Sequence, residues 1–87
     1  MTQIRLDPRS VSWREVDGEI LALDVVSSTY LGTNGVGALL WKALAVGTSR
    51  DRLVSLLLSE YDVGEIQAAN DVDEFLSDLA AQGLLAA

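Results

Sequence analysis

Cysteine and histidine are both absent from the 87 residues. Without cysteine there is no disulfide, no thiolate metal site and no thiol nucleophile. Without histidine, zinc and most transition metals lose their usual ligands, and an imidazole base or relay is excluded. Neither a metal nor another cofactor is expected, nor a catalytic residue. Basic residues are few. Arg5, Arg9, Arg14, Lys42, Arg50 and Arg52 are scattered among 13 acidic residues, leaving a net charge of −7. Phosphate binding needs clustered Lys and Arg, so nucleic acid is not an expected partner. No apolar run approaches the roughly 20 residues that span a bilayer. Residues 1–8 are polar and charged, unlike a secretion signal. The expected compartment is the cytoplasm, with no membrane partner.

Hydrophobic residues make up 49% of the chain, enough for one modest core. Two units are expected: a flexible N-terminal arm over residues 1–10, extended and weakly ordered around Pro8, and a domain over residues 11–87. From Val11 the pattern alternates as a strand, with Val11, Trp13 and Glu15 on one side. Asp17-Gly18 is a strong hairpin signal, because both central residues must accept positive φ. That turn would pair Val16 with Glu19, Arg14 with Leu21 and Ser12 with Leu23. The second strand runs to residue 25 or 26 and places Leu21, Leu23 and Val25 together. Ser27-Ser28 turns the chain into a short third strand, Thr29, Tyr30 and Leu31.

Helical spacing follows over residues 35–45, 50–60 and 65–82. Thr33 or Asn34 can cap the first helix, and Thr48 or Ser49 the second. Gly47 and Gly83 act as stops. Ala68, Val72, Phe75, Leu76 and Leu79 form an apolar stripe on the third. The fold class is therefore α+β: a three-stranded antiparallel sheet followed by three helices, winged helix-turn-helix-like.

Four kinds of site can be read from the chain. Asp71, Glu74 and Asp78 fall on the polar side of the last helix and read as a solvated face. Gly32-Thr33-Asn34-Gly35-Val36-Gly37 precedes a helix but matches neither the dinucleotide nor the Walker pattern. A winged helix that reads DNA has a basic recognition helix, whereas Glu65, Asp71, Asp73, Glu74 and Asp78 would repel phosphate. A peptide groove remains. The third strand should lie at a sheet edge, whose unpaired N–H and C=O groups can accept another strand. One flank of the last helix, Ile66, Ala69, Asp73 and Leu76 with Ala80, could wall it. Those apolar residues could equally complete the core. Trp13, Trp41 and Phe75 read as core.

The stretches Val16-Asp-Gly-Glu-Ile-Leu-Ala-Leu-Asp24, Tyr30-Leu-Gly-Thr-Asn34 and Gly37-Ala-Leu-Leu-Trp41, with Leu44 and Gly47, resemble the PqqD-like family. Asn70-Asp-Val-Asp-Glu-Phe-Leu76, Leu79 and Gly83-Leu-Leu85 resemble its last helix. Members are RiPP recognition elements, which bind leader peptides of ribosomally made, modified peptides. The resemblance implies a leader added as a strand to the third strand, against the third helix. It points to Val26, Thr29, Tyr30, Leu31, Ile66, Ala69, Asp73 and Leu76 as the peptide-binding residues. A chain of this size looks most like the small leader-binding protein of lasso-peptide clusters. That likeness implies a precursor leader peptide, a separate leader peptidase and a cyclase as partners. The alternatives are a PqqD-type carrier for a radical-SAM enzyme in pyrroloquinoline quinone biosynthesis and a DNA-binding winged-helix regulator.

Overall fold

The computed structural model describes residues 3–86. Three strands come first: β1 (Val11–Val16), β2 (Glu19–Asp24) and β3 (Thr29–Thr33). Three helices follow: α1 (Gly35–Val46), α2 (Arg50–Glu60) and α3 (Glu65–Ala81). The strands form one antiparallel meander in the order β1-β2-β3, so the chain has the expected α+β architecture.

Asp17 and Gly18 sit at φ 52° and 81°, the left-handed pair that a two-residue type I′ turn requires. The turn then dictates the register. Val16 faces Glu19, Arg14 faces Leu21 and Ser12 faces Leu23. β2 is apolar on both faces, so alternation alone does not say which face is inside. Its partners decide. Ile20, Ala22 and Asp24 lie opposite Glu15, Trp13 and Val11, and this side turns inward. Trp13 meets Trp41 of α1 edge to face, ring centroids 6.2 Å apart, and Glu15 pairs with Lys42 at 3.1 Å. Trp41 is core, at 2% exposure, whereas Trp13 is only partly covered. Leu21 and Leu23 stand on the outer face, beside Tyr30.

β2 ends at Asp24, earlier than the expected 25 or 26. The buried Asp24 carboxylate accepts the N–H groups of Val26 at 3.0 Å and Ser27 at 3.3 Å. Those bonds wrap residues 25–28 into a turn in which Ser28 takes φ 59°. Ser49 caps α2 by accepting the Arg52 N–H at 3.2 Å. Asn34 begins α1 with no side-chain bond. The core joins Leu40 and Leu44 of α1, Leu53 and Leu57 of α2, Ala68 and Val72 of α3, and Leu84 beyond it. Each large apolar side chain there contributes about 1.5–3 kcal/mol on burial.

The arm differs from the expected weak order. It is extended, but it is also pinned. Ile4 and Thr48 exchange N–H···O bonds of 2.6 and 2.9 Å. The Leu6 N–H bonds Leu44 O at 3.0 Å, the Asp7 N–H bonds Leu84 O at 2.8 Å, and the Ala86 N–H bonds Arg5 O at 2.8 Å. Leu6 is buried in the core. The alternation of Ile4 and Leu6 outweighs the turn chemistry of Asp7 and Pro8. The Asp7 carboxyl is held below the ordinary range, chiefly by the Arg9 backbone N–H that it accepts. The folded unit thus begins ahead of residue 11. Met1 and Thr2 of the expected arm, and Ala87 of the expected domain, lie outside the described residues.

Candidate peptide-binding site

Among the described residues, β3 has a strand neighbour on one side only. Which of its backbone groups are free follows from the hairpin. A two-residue turn makes Val16 and Glu19 a hydrogen-bonded pair, and such pairs recur at every second position. The Val25 N–H bonding Ser10 O at 3.0 Å continues the series. Ile20, Ala22 and Asp24 therefore direct their N–H and C=O groups to Thr33, Leu31 and Thr29. The backbone groups of Tyr30 and Gly32 face the open edge, ready for another strand.

Beside that edge runs an open trough of about 220 Å³. Its sheet wall is made by Ile20, Ala22, Leu31, Gly32 and Thr33. Its helix wall is made by Phe75, Asp78, Leu79 and Gln82 of α3, with Trp41 of α1 beneath. The trough exists because α3 packs chiefly on α2, while the sheet rests on α1. Neither contact draws α3 down onto β3. The lining is mainly apolar, with Asp78 and Gln82 as polar groups on one wall.

The structure distributes the predicted site residues unevenly. Leu31 lines the trough. Tyr30 offers backbone to the edge, while its side chain lies on the outer sheet face, highly exposed. Thr29 opens β3, and its hydroxyl accepts from Ser27 Oγ at 2.9 Å. Val26 is exposed in the β2–β3 turn. Ile66, Ala69, Asp73 and Leu76 do not line the trough. Asp73 faces α2, where Arg50 Nε and NH2 donate to its two carboxylate oxygens at 2.6 and 2.9 Å. Those bonds hold the Asp73 carboxyl below the ordinary carboxylate range. In the free chain the charge of Asp73 is thus matched by Arg50.

The uneven placement has a simple cause. The apolar stripe of α3 has two flanks, and helical spacing treats them alike. The flank of Phe75, Asp78 and Gln82 turns to β3; the flank of Asp73 turns to α2. Phe75 packs against the core and Asp78 is exposed, as expected, and both also wall the trough. Among the described residues, no cluster of Asp and Glu is arranged to hold a metal ion. No helix there is long and apolar enough to cross a membrane.

Residues 13–85 match the family model described as coenzyme PQQ synthesis protein D (PqqD). The chain belongs to the PqqD family. No curated protein matches it at a significant level. Among solved structures, TbiB1 in complex with the TbiA(beta) leader peptide superposes with a TM-score of 0.86. It is 28% identical, over 93% of this chain and 93% of that one. A lasso peptide synthetase B1 complexed with the leader peptide superposes with a TM-score of 0.83, at 28% identity over 97% and 98% of the two chains. This PqqD family member therefore shares its whole architecture with two proteins solved with a leader peptide.

Proposed function

We propose that the chain binds the leader segment of a ribosomally made precursor, of the lasso-peptide type, as a fourth strand on β3. The observation that carries this reading is the unpaired edge at Tyr30 and Gly32 lying directly beside the trough. The two relatives solved with leader peptides support it. Backbone bonds along the edge give affinity, and alternate guest side chains enter the trough. Leu31, Phe75 and Leu79 bury the guest's apolar anchors, each good anchor contributing about 1.5–3 kcal/mol before ordering costs. A disordered leader loses entropy on binding, so several anchors must act together.

The chain itself performs no chemistry on the peptide. It works in the cytoplasm, presenting the precursor first to a separate leader peptidase and then to a cyclase. The gain is effective concentration at the enzyme. A second reading is favoured by the family match: carriage of a peptide for a radical-SAM enzyme in pyrroloquinoline quinone biosynthesis. Titration of the leader encoded beside the gene into the purified chain, read by calorimetry and by amide shifts on β3, tests both. Binding with shifts at Tyr30 and Gly32 is the expected result. No heat and no shift at tens of micromolar protein would refute leader capture.

A further inference from the structure

The outward side of the sheet is unusual for a solvated face. Antiparallel sheets with one face in water normally carry polar residues there. Here β2 presents Leu21 and Leu23 outward, and β3 presents Tyr30; Leu21 is 42% exposed and Tyr30 80%. The register sorts the outward positions into two rows across the strands. One row runs Ser12, Leu23, Tyr30; the other runs Arg14, Leu21, Gly32. Between the rows lies an open hollow of about 360 Å³, bounded by Leu21, Leu23, Tyr30, Ser12 and Arg14. Tyr30 closes the first row at the sheet edge. Gly32 has no side chain, so the second row is open there. A Cβ on Gly32 would meet only Ile20 O within 4 Å, at 3.9 Å, so the gap is open space.

We infer that the gap above Gly32 admits one outward-pointing side chain of the guest strand into this hollow, and that this side chain is long and apolar. The inference rests on leader capture along β3 and adds a second reading face to it. Directly opposed residues on neighbouring strands point to the same face. A guest residue opposite Gly32 therefore points outward, while its two neighbours point towards the trough. The guest strand lies two inter-strand spacings from β2, roughly 10 Å. A short side chain ends above Gly32. A leucine, methionine or aromatic crosses the glycine and meets Leu21, with Tyr30 beside it. Long and aromatic side chains cover a glycine on a neighbouring strand in this way. A charged tip would lose water over Leu21, with Arg14 a strand further away. The leader is thus gripped on both faces, by inward residues in the trough and one outward residue in the hollow.

Peptides selected on the wild-type chain from a displayed random library serve as probes, with every residue of each replaced by alanine in turn and binding read by calorimetry. Anchors of both parities are expected: some at alternate positions facing the trough, and one at an odd spacing from them facing outward. That outward residue should be long and apolar, and its alanine replacement should weaken binding about tenfold. Gly32→Val keeps the N–H and C=O that meet the guest but fills the gap. It should bind the selected peptide about tenfold more weakly, with its melting temperature unchanged or higher. On that variant the outward alanine replacement should cost less than about twofold. On the wild type, where folding is not in question, nuclear Overhauser contacts should join the outward side chain to the Leu21 methyls and the Tyr30 ring. If the amides of Tyr30 and Gly32 shift with peptide, yet every sensitive position shares one parity and those contacts are missing, the inference falls while leader capture stands. Self-association of the wild type that moves the Leu21 methyls without peptide would also overturn it, by giving the hollow to a second copy. If no peptide is enriched, or the β3 amides do not move, both fall.

Discussion

On one flank of α3, Asp73 is locked to Arg50 by two short hydrogen bonds and faces a neighbouring helix. On the other, Asp78 stands with Phe75 and Gln82 over an open trough beside an unpaired strand. Both flanks mix acids with apolar residues, and composition does not separate them. What separates them is the neighbour each one meets. On the proposed reading, the acid beside a guanidinium serves the fold, and the acid beside the free strand edge meets the guest.

The sharpest way to break this comparison is to close the edge itself. Gly32→Pro removes an N–H that faces outward and adds a ring there, without touching the bonds to β2. Leader affinity should fall at least tenfold, roughly, with the melting temperature little changed. Unaltered affinity in calorimetry would mean that the guest strand lies elsewhere. Next comes a pair of matched truncations. Phe75→Ala should lower both affinity, about tenfold, and stability. Leu76→Ala should destabilise by about 1–2 kcal/mol, as a half-buried leucine, and leave affinity within about twofold. Equal losses of affinity in the two variants would erase the distinction between the flanks.

Charge reversal refines it further. Asp78→Lys should weaken leader binding, or change its preference towards acidic guests. Asp73→Lys should leave binding unchanged and cost only some thermal stability, an effect that added salt reduces. The smallest effect is on acid stability. Asp73 and Asp7 both have carboxyls held below 3.8, the ordinary value. Their contribution is present above that value and is lost as pH falls through the lowered native ones. Thermal melts between pH 5 and about pH 2 should show a decline that Asp73→Asn makes shallower. A slope identical to wild type would show that the Arg50 pair contributes nothing to the acid branch.

How much of this could be read from the chain alone depends on how local the deciding physics is. The hairpin was legible because Asp17-Gly18 specifies its own backbone, and the register follows from it. The three helices were legible because Ser49, Gly47 and the apolar spacing mark their ends and faces. The inner face of β2 was not, since Ile20 and Ala22 alternate with Leu21 and Leu23, and only pairing with Trp13 chooses between them. The end of β2 was missed because Asp24, two residues earlier, bends the turn. The border position of β3 was legible because it follows from chain order alone. Which flank of α3 meets β3 was not legible, since both flanks border the same apolar stripe and only the packing of α3 on α2 chooses between them.

The pinned arm has a practical consequence for anyone trimming this protein to its minimal unit. The family match begins at residue 13, and a cut there would look safe. Such a cut would remove the plug that Leu6 makes in the core. It would also strip donors from the carbonyls of Thr48, Leu44 and Leu84 at three separate places. A fragment meant to keep these contacts should therefore start at or before Ile4. Truncations designed from the motif alone should yield aggregation-prone material whose failure to bind says nothing about recognition.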